Sequence, residues 1–165
     1  MVTLMSPRAR TEDVSPRLRS ASAVRSHLTS GSRASGSRRV SIDSDAAVGE
    51  ACTQGRRLAG TLGFSAYDQV VVATMISELA RNIMHHAYHG QITMRAGHSG
   101  NKPAIVVVAK DDGPGIRDVD GALDGSTSFR GSGKGLPAVR RSADRFRIIT
   151  EEGRGTVVSF AKLTA

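Results

Sequence analysis

The sequence predicts a layered α/β sandwich. Three observations carry this: two long segments with a helical apolar period, five short strand-like segments punctuated by Gly-containing turns, and a continuous aliphatic run from Ile105 to Ala109. With 165 residues the chain has room for one compact domain and a tail, not for two domains of ordinary size. The expected division is a tail over residues 1–37 and a domain over residues 38–165.

Residues 1–37 contain nine Ser and few large apolar side chains, so they cannot bury enough surface to offset chain entropy and are expected to be disordered. The favoured reading is a solvated tail, or an overlong start with Met5 as a second initiator. An Arg-rich, Ser-rich, acid-poor leader also has the composition of a targeting presequence. Residues 1–40 hold eight Arg against Glu12 and Asp13, which is +6 of the formal +8 and leaves the folded part nearly neutral. The high isoelectric point therefore does not call for a nucleic-acid partner, and no aromatic-and-basic stacking surface follows the leader. The longest aliphatic run is far short of the roughly 20 residues of a membrane helix. Cys52 is the single cysteine, which excludes an internal disulfide, and it is expected as a buried, inert thiol on a helix. The protein is expected to be soluble and cytoplasmic, binding neither nucleic acid nor membrane.

From Val40 the texture changes. Val40 and Ile42 alternate with Ser41 as in a short strand. Asp43 or Ser44 can cap a helix that runs to about Leu62, with Ala47, Val48, Ala51, Leu58, Ala59 and Leu62 on one face and Gly63 closing it in a left-handed turn. Ser65 opens a second helix, and Asp68 three residues on has the place of a capping-box acid reaching back to the Ser65 amide. This helix is expected to reach about Tyr88. Gln91 to Gly97 and Ala104 to Lys110 read as a hairpin around a Ser-Gly-Asn-Lys-Pro turn, the second strand aliphatic enough for a buried central position. Residues 116–130 have no clean period and read as a mobile loop, followed by a short helix from Leu136 to Ala143. Arg145 to Thr150 and Thr156 to Leu163 complete the sheet around a turn at Glu152-Gly153-Arg154-Gly155.

Three short stretches carry chemistry. Glu78 and Asn82 lie four residues apart on the second helix and so share a face. The Asn82 amide oxygen can hold magnesium without neutralising it, while Glu78 can take a proton from an attacking hydroxyl or water. Asp111 ends the buried strand ahead of Gly113 and Gly115, glycines that allow a tight turn and a close approach to a flat base. A carboxylate there accepts the adenine amine and repels the guanine carbonyl. Gly131, Gly133 and Gly135 precede a helix, so their amides and the helix N-terminus can face a triphosphate, with Lys134 adding charge. The loop is neither a Walker loop, since Gly135 stands where Ser or Thr is required after Lys134, nor a Rossmann fingerprint, which would need Gly in place of Leu136. Asp118, Asp120 and Asp124 lack the calcium-loop spacing. His85 and His89 have the spacing of a zinc pair but lack an evident third ligand, and helix-end charge and packing are the preferred account. Together the three stretches predict an ATP site, with ATP and Mg2+ as cofactors.

Those stretches resemble the N, G1 and G2 boxes of the GHKL group of ATPases and kinases, named for gyrase, a heat-shock chaperone, histidine kinases and MutL. Gly153-Arg154-Gly155-Thr156 is similar to the closing Gly-Thr element. Within the group, Ile76 to Ile83 and Gly135-Leu136-Pro137-Ala138-Val139 resemble the RsbT-type switch kinases, whereas His86-Ala87-Tyr88 also resembles the RsbW and SpoIIAB anti-sigma kinases. The resemblance spans about residues 38–163. It implies a two-layer Bergerat fold, with a mixed, mostly antiparallel sheet covered by helices on one face. It further implies a Mg-ATP-dependent serine/threonine kinase with Glu78 as general base, Asn82 on magnesium, Asp111 on adenine and Thr156 as a second adenine-side contact. The implied partner is a STAS-domain protein, an anti-sigma factor antagonist or stressosome component, with a sigma factor or a phosphatase regulator as further partners. The alternative is an anti-sigma factor that sequesters a sigma factor under nucleotide control. Lys134, where RsbT-like proteins commonly have a small residue, and the Arg/Ser leader depart from the family pattern. A free-standing histidine-kinase ATPase domain is disfavoured because residues 1–37 carry no heptad pattern for a dimerising helical pair.

Overall fold

The computed structural model describes residues 36–126 and 135–165. The expectations for the leader, and those for Gly131, Gly133 and Lys134, lie outside the described residues. Strand β1 (Arg38–Ile42) is followed by α1 (Asp45–Thr61), α2 (Ala66–His86), the hairpin β2 (Gly90–Ser99) and β3 (Lys102–Asp111), α3 (Val119–Asp124), α4 (Gly135–Ser142), and the hairpin β4 (Arg145–Glu151) and β5 (Gly155–Leu163). The five strands form one sheet in the order β1-β2-β3-β5-β4.

Every described pairing is antiparallel, so the sheet is not mixed. Chain traverse explains the difference. Two helices between β1 and β2 make an out-and-back pass that returns the chain running opposite to β1, and tight turns reverse it in both hairpins. The alternation set by the pleat then sorts each strand. Val40, Ile42, Ile92, Met94, Ile105, Val107, Val158 and Phe160 point to the helices and join one buried cluster with Val48, Leu58, Ile76, Leu79 and Ile83. On the opposite face Thr93, Val106, Val108 and Val157 are only half-buried. The sandwich therefore has two layers with helices on one face.

Ser44 caps α1, its Oγ accepting the Ala47 amide at 3.3 Å, and Gly63 closes the helix at φ 84°. Gly55, on the buried face of α1, allows close approach to α2, since a Cβ there would run into Ile76 Cδ1. Ser65 caps α2, accepting the Asp68 amide at 3.1 Å. The Asp68 carboxylate accepts the Ser65 hydroxyl at 2.7 Å, whereas the capping-box reading had it reaching the Ser65 amide. Helix α2 stops at His86, two residues earlier than expected, because Ala87 caps it and Tyr88 turns the chain at φ 65°. Within the expected loop over residues 116–130 stands α3, capped by Asp118, whose carboxylate accepts the Gly121 amide at 2.9 Å. Six residues are too few to show a period, so the cap was its only sequence signal. Cys52 is half-buried, and burial pushes its thiol above the ordinary range against the opposing influences of Ser77 and Arg81. No helix among the described residues is long and apolar enough to cross a membrane.

Candidate functional site

Helix α2 organises the site because its buried stripe, Val72, Met75, Ile76, Leu79, Ala80 and Ile83, is sealed against the core. The side chains between those positions turn to the rim of the helix layer, and Glu78 and Asn82 are both half-buried there. Helix α4 arrives over them at Gly135. A Cβ built on Gly135 would lie 2.7 Å from Glu78 Oε2 and 3.6 Å from Asn82 Oδ1. The start of the Gly-Leu-Pro helix is thus in direct contact with the Glu/Asn pair, although more than 50 residues separate them in the chain. Leu136 packs against the core cluster and Val139 is fully buried, which seats α4 on α2.

The second half of the site lies at the C-terminus of α2, beyond Asn82. The C-cap residue Ala87 packs under Gly113, where an added Cβ would meet the Ala87 Cβ at 2.7 Å. Nine residues of helix, about 14 Å, separate Glu78 from Ala87. Asp111 ends β3 opposite Thr156 of β5 and opposite Gly90 of β2, and its Oδ1 accepts the Gly113 amide at 2.9 Å. Burial raises the Asp111 pKa above the ordinary carboxylate value. The Gly113 and Thr156 amides oppose that shift, Asp112 adds to it, and His86 opposes it. The carboxylate therefore sits half-buried and held by backbone at the end of the sheet.

Around it the backbone is drawn tight. Gly155, at φ 92°, lies against the Asp111 carbonyl, and Gly115, at φ 76°, lies against the Glu151 carbonyl. Either glycine would be strained as any other residue. The Gly153 amide donates to Pro114 O at 2.8 Å, clamping the Asp-Gly-Pro-Gly turn to the β4–β5 hairpin. Thr156 is the one buried polar residue among those described, and its Oγ1 lies 3.0 Å from Thr150 Oγ1.

Thr150 is a residue the sequence reading missed. Its Oγ1 accepts the Ile116 amide at 2.9 Å and donates to Gly155 O at 3.1 Å, so one hydroxyl joins the turn, the hairpin and Thr156. Its position across from Thr156 in a hairpin was the available signal. His86 was also missed as a neighbour of Asp111. Burial lowers its pKa, His85 lowers it further, and Asp111 opposes both.

Of the expected site residues, Glu78, Asn82, Gly135 and Leu136 gather along the C-terminal half of α2, and Asp111, Gly113, Gly115 and Thr156 gather just beyond its C-terminus. No group of three or more His, Cys, Asp or Glu side chains converges among the described residues. A magnesium ion held here would therefore take one amide oxygen from Asn82 and the rest of its shell from phosphates and water, which suits a hard cation that keeps several waters and binds along with a nucleotide. The donor chemistry fits.

The histidine kinase-like ATPase domain family matches residues 43–162. The chain is 40% identical over 109 residues to the serine/threonine-protein kinase RsbT of Bacillus subtilis (strain 168), an alignment covering 66% of this chain and 82% of that protein. Among solved structures, the histidine kinase domain of the Erythrobacter litoralis EL346 blue-light activated histidine kinase aligns at TM-score 0.45 and 18% identity, over 70% of this chain and 58% of that one. The catalytic domain of the histidine kinase ThkA aligns at TM-score 0.46 and 14% identity, over 77% of this chain and 98% of that one. The first two matches, of which the family match takes in every described residue of the candidate site, establish that the chain belongs to the histidine kinase-like ATPase family, as an enzyme of the RsbT kinase type.

Proposed function

We propose that the protein is a Mg-ATP-dependent serine/threonine kinase acting in the cytoplasm on a STAS-domain protein of a partner-switching pathway. The observation that carries this reading is the placement of Glu78 and Asn82 together beneath Gly135, with Asp111 beyond the C-terminus of the same helix. That spacing suits a nucleotide lying along α2 with its base on Asp111 and its phosphates under α4. Asp111 and the adjacent Thr156 select adenine. The Gly135 end of the preceding glycine loop faces the phosphates, with the loop's Gly131, Gly133 and Lys134 as further contacts. Magnesium, held on Asn82, supplies charge neutralisation for the phosphates.

Glu78 accepts the proton of the partner's Ser or Thr hydroxyl as that oxygen attacks the γ-phosphorus in line. The bond from the γ-phosphorus to the bridging oxygen breaks, and ADP leaves with the electron pair. Little covalent chemistry is asked of the protein, because phosphoryl transfer depends chiefly on positioning and electrostatics. The family relationship and the RsbT-like stretches around Asn82 and Gly135 support a kinase acting on a STAS-domain partner.

The test is phosphopeptide mass spectrometry after incubating the full chain with Mg-ATP and each STAS-domain protein of its own genome. Phosphate on a STAS Ser or Thr, lost with Glu78→Ala, is the expected result. Equal transfer by Glu78→Ala refutes the assignment of the base. Tight ATP binding without any transfer refutes the kinase reading.

A further inference from the structure

A groove of about 140 Å³ opens between α2 and α4, lined by Val70, Val71, Thr74 and Met75 on one side and by Ala138 and Val139 on the other, and Glu78 closes one end of it. The groove follows a single helical stripe, since residues 71, 74, 75 and 78 succeed one another at three- and four-residue steps. Away from Glu78 the groove runs out to two exposed apolar side chains, Val70 of its lining at 48% and Tyr67 beyond it at 78%. Met75 and Val139 give the groove a buried floor that belongs to the core, whereas the exposed Tyr67 and Val70 at its rim lie outside the buried stripe of α2.

We propose that this groove is the docking channel for the phosphoacceptor protein, and that it takes one large apolar side chain placed two residues from the acceptor Ser or Thr. The inference rests on the kinase reading above. An acceptor hydroxyl within hydrogen-bond reach of Glu78 brings its flanking residues to the mouth of the groove. The groove centre at Thr74 and Met75 lies one helical turn from Glu78, about 5–6 Å. An extended segment advances about 3.3 Å per residue and returns to the same face every second residue, so the side chain two positions from the acceptor covers that distance on the hydroxyl's own face. The volume suits a Leu, Ile, Met or Phe side chain, because an apolar cavity of about 150 Å³ holds one benzene. The lining is apolar apart from hydroxyls and Glu78 itself, so an acidic side chain at that position would be excluded.

Two surface substitutions test the channel. Val70→Lys and Thr74→Lys place a charged side chain across it at exposed positions where folding tolerates the change. Thr53→Lys, an exposed position on α1, is the charge control. Transfer kinetics are measured on the STAS-domain protein that the unaltered chain phosphorylates, alongside the affinity for a fluorescent ATP analogue. The expected result is a KM for the partner raised about tenfold or more by Val70→Lys and by Thr74→Lys, with kcat and nucleotide affinity within about twofold and Thr53→Lys neutral. Changing the partner's apolar residue two positions from its acceptor to Asp is expected to raise KM equally, and to add nothing further with Thr74→Lys. An unchanged KM in both lysine variants overturns the channel while leaving the kinase reading standing. Lost nucleotide affinity in Thr74→Lys also overturns it, since the groove would then serve the ATP site. Absence of transfer by the unaltered chain overturns the kinase reading and the channel with it.

Discussion

Gly135→Ala separates stability from catalysis at a single atom. Gly135 is the first residue of α4, where its backbone is helical and carries no positive φ, so alanine fits the conformation and restricts the unfolded chain. On folding alone the change should be neutral or stabilising, by up to about 0.5–1 kcal/mol. The new methyl, however, would stand 2.7 Å from Glu78 Oε2, and ordinary contact begins at 3.4 Å, so the carboxylate must withdraw by about 0.7 Å or rotate away. The cost to the fold is small because Oε2 is the far end of a flexible side chain. The cost to transfer is larger, since a misplacement of about 1 Å in a reacting group lowers rate on the order of 10²-fold. A fall in kcat of about tenfold or more follows, or about 1.4 kcal/mol of lost transition-state stabilisation per factor of ten. Denaturant unfolding and steady-state transfer on one preparation provide the assay. A variant of unchanged or higher stability that transfers at the full rate would refute the placement of Glu78 beneath Gly135 as the position of the base. A variant destabilised by several kcal/mol would refute the packing argument instead.

Asp111→Asn keeps the side-chain oxygen that accepts the Gly113 amide and removes the charge, so the fold should persist while adenine binding, and with it transfer, is lost; nucleotide titration checks this. Burial raises the Asp111 pKa in the folded state, so the folded chain binds the proton more tightly than the unfolded one, and the carboxylate costs stability at neutral pH that is recovered as pH falls through the raised folded value. Asp111→Asn should therefore be more stable than the parent at pH 7, with the difference vanishing below the ordinary carboxylate range, as read by urea unfolding across pH. His86 has the opposite sense: its pKa is lowered by burial, so its contribution is full above the unfolded value of 6.5 and is lost as pH falls through the folded value, and His86→Gln should flatten that acidic limb of the unfolding curve. Gly55→Ala gains helix propensity but pushes a methyl into Ile76, which is fully buried, so a net loss of about 1 kcal/mol or more is expected in denaturant unfolding.

Much of the site was legible in the chain because its signals are local. Glu78 and Asn82 share a helix face by spacing alone, the Asp111 to Gly115 turn announces itself by its glycines, and Ser44 and Ser65 mark the helix starts by side-chain chemistry that acts within one turn. Helix ends were read less well. Tyr88 closes α2 in a left-handed conformation that a non-glycine residue adopts only under tertiary constraint, here Ala87 packed against Gly113, so the helix was extended two residues too far. The role of Thr150 was hidden for a similar reason: its three partners lie in one distant turn and in the neighbouring strand β5, brought within reach only by tertiary packing and the β4–β5 register.

By itself the sequence determined the layered α/β class, the polarity and capping of the helices, and the short stretches that make up the candidate nucleotide site, because periodicity, turn residues and i,i+4 spacing operate over a few residues. The tertiary structure decided that the sheet is antiparallel throughout, that Gly135 lies over Glu78, that Asp111 is half-buried opposite Thr156, and that an apolar groove runs from Glu78 along α2. Those are relations between residues far apart in the chain. They depend on how helices traverse the sheet and how closely two backbones approach, which local pattern does not encode.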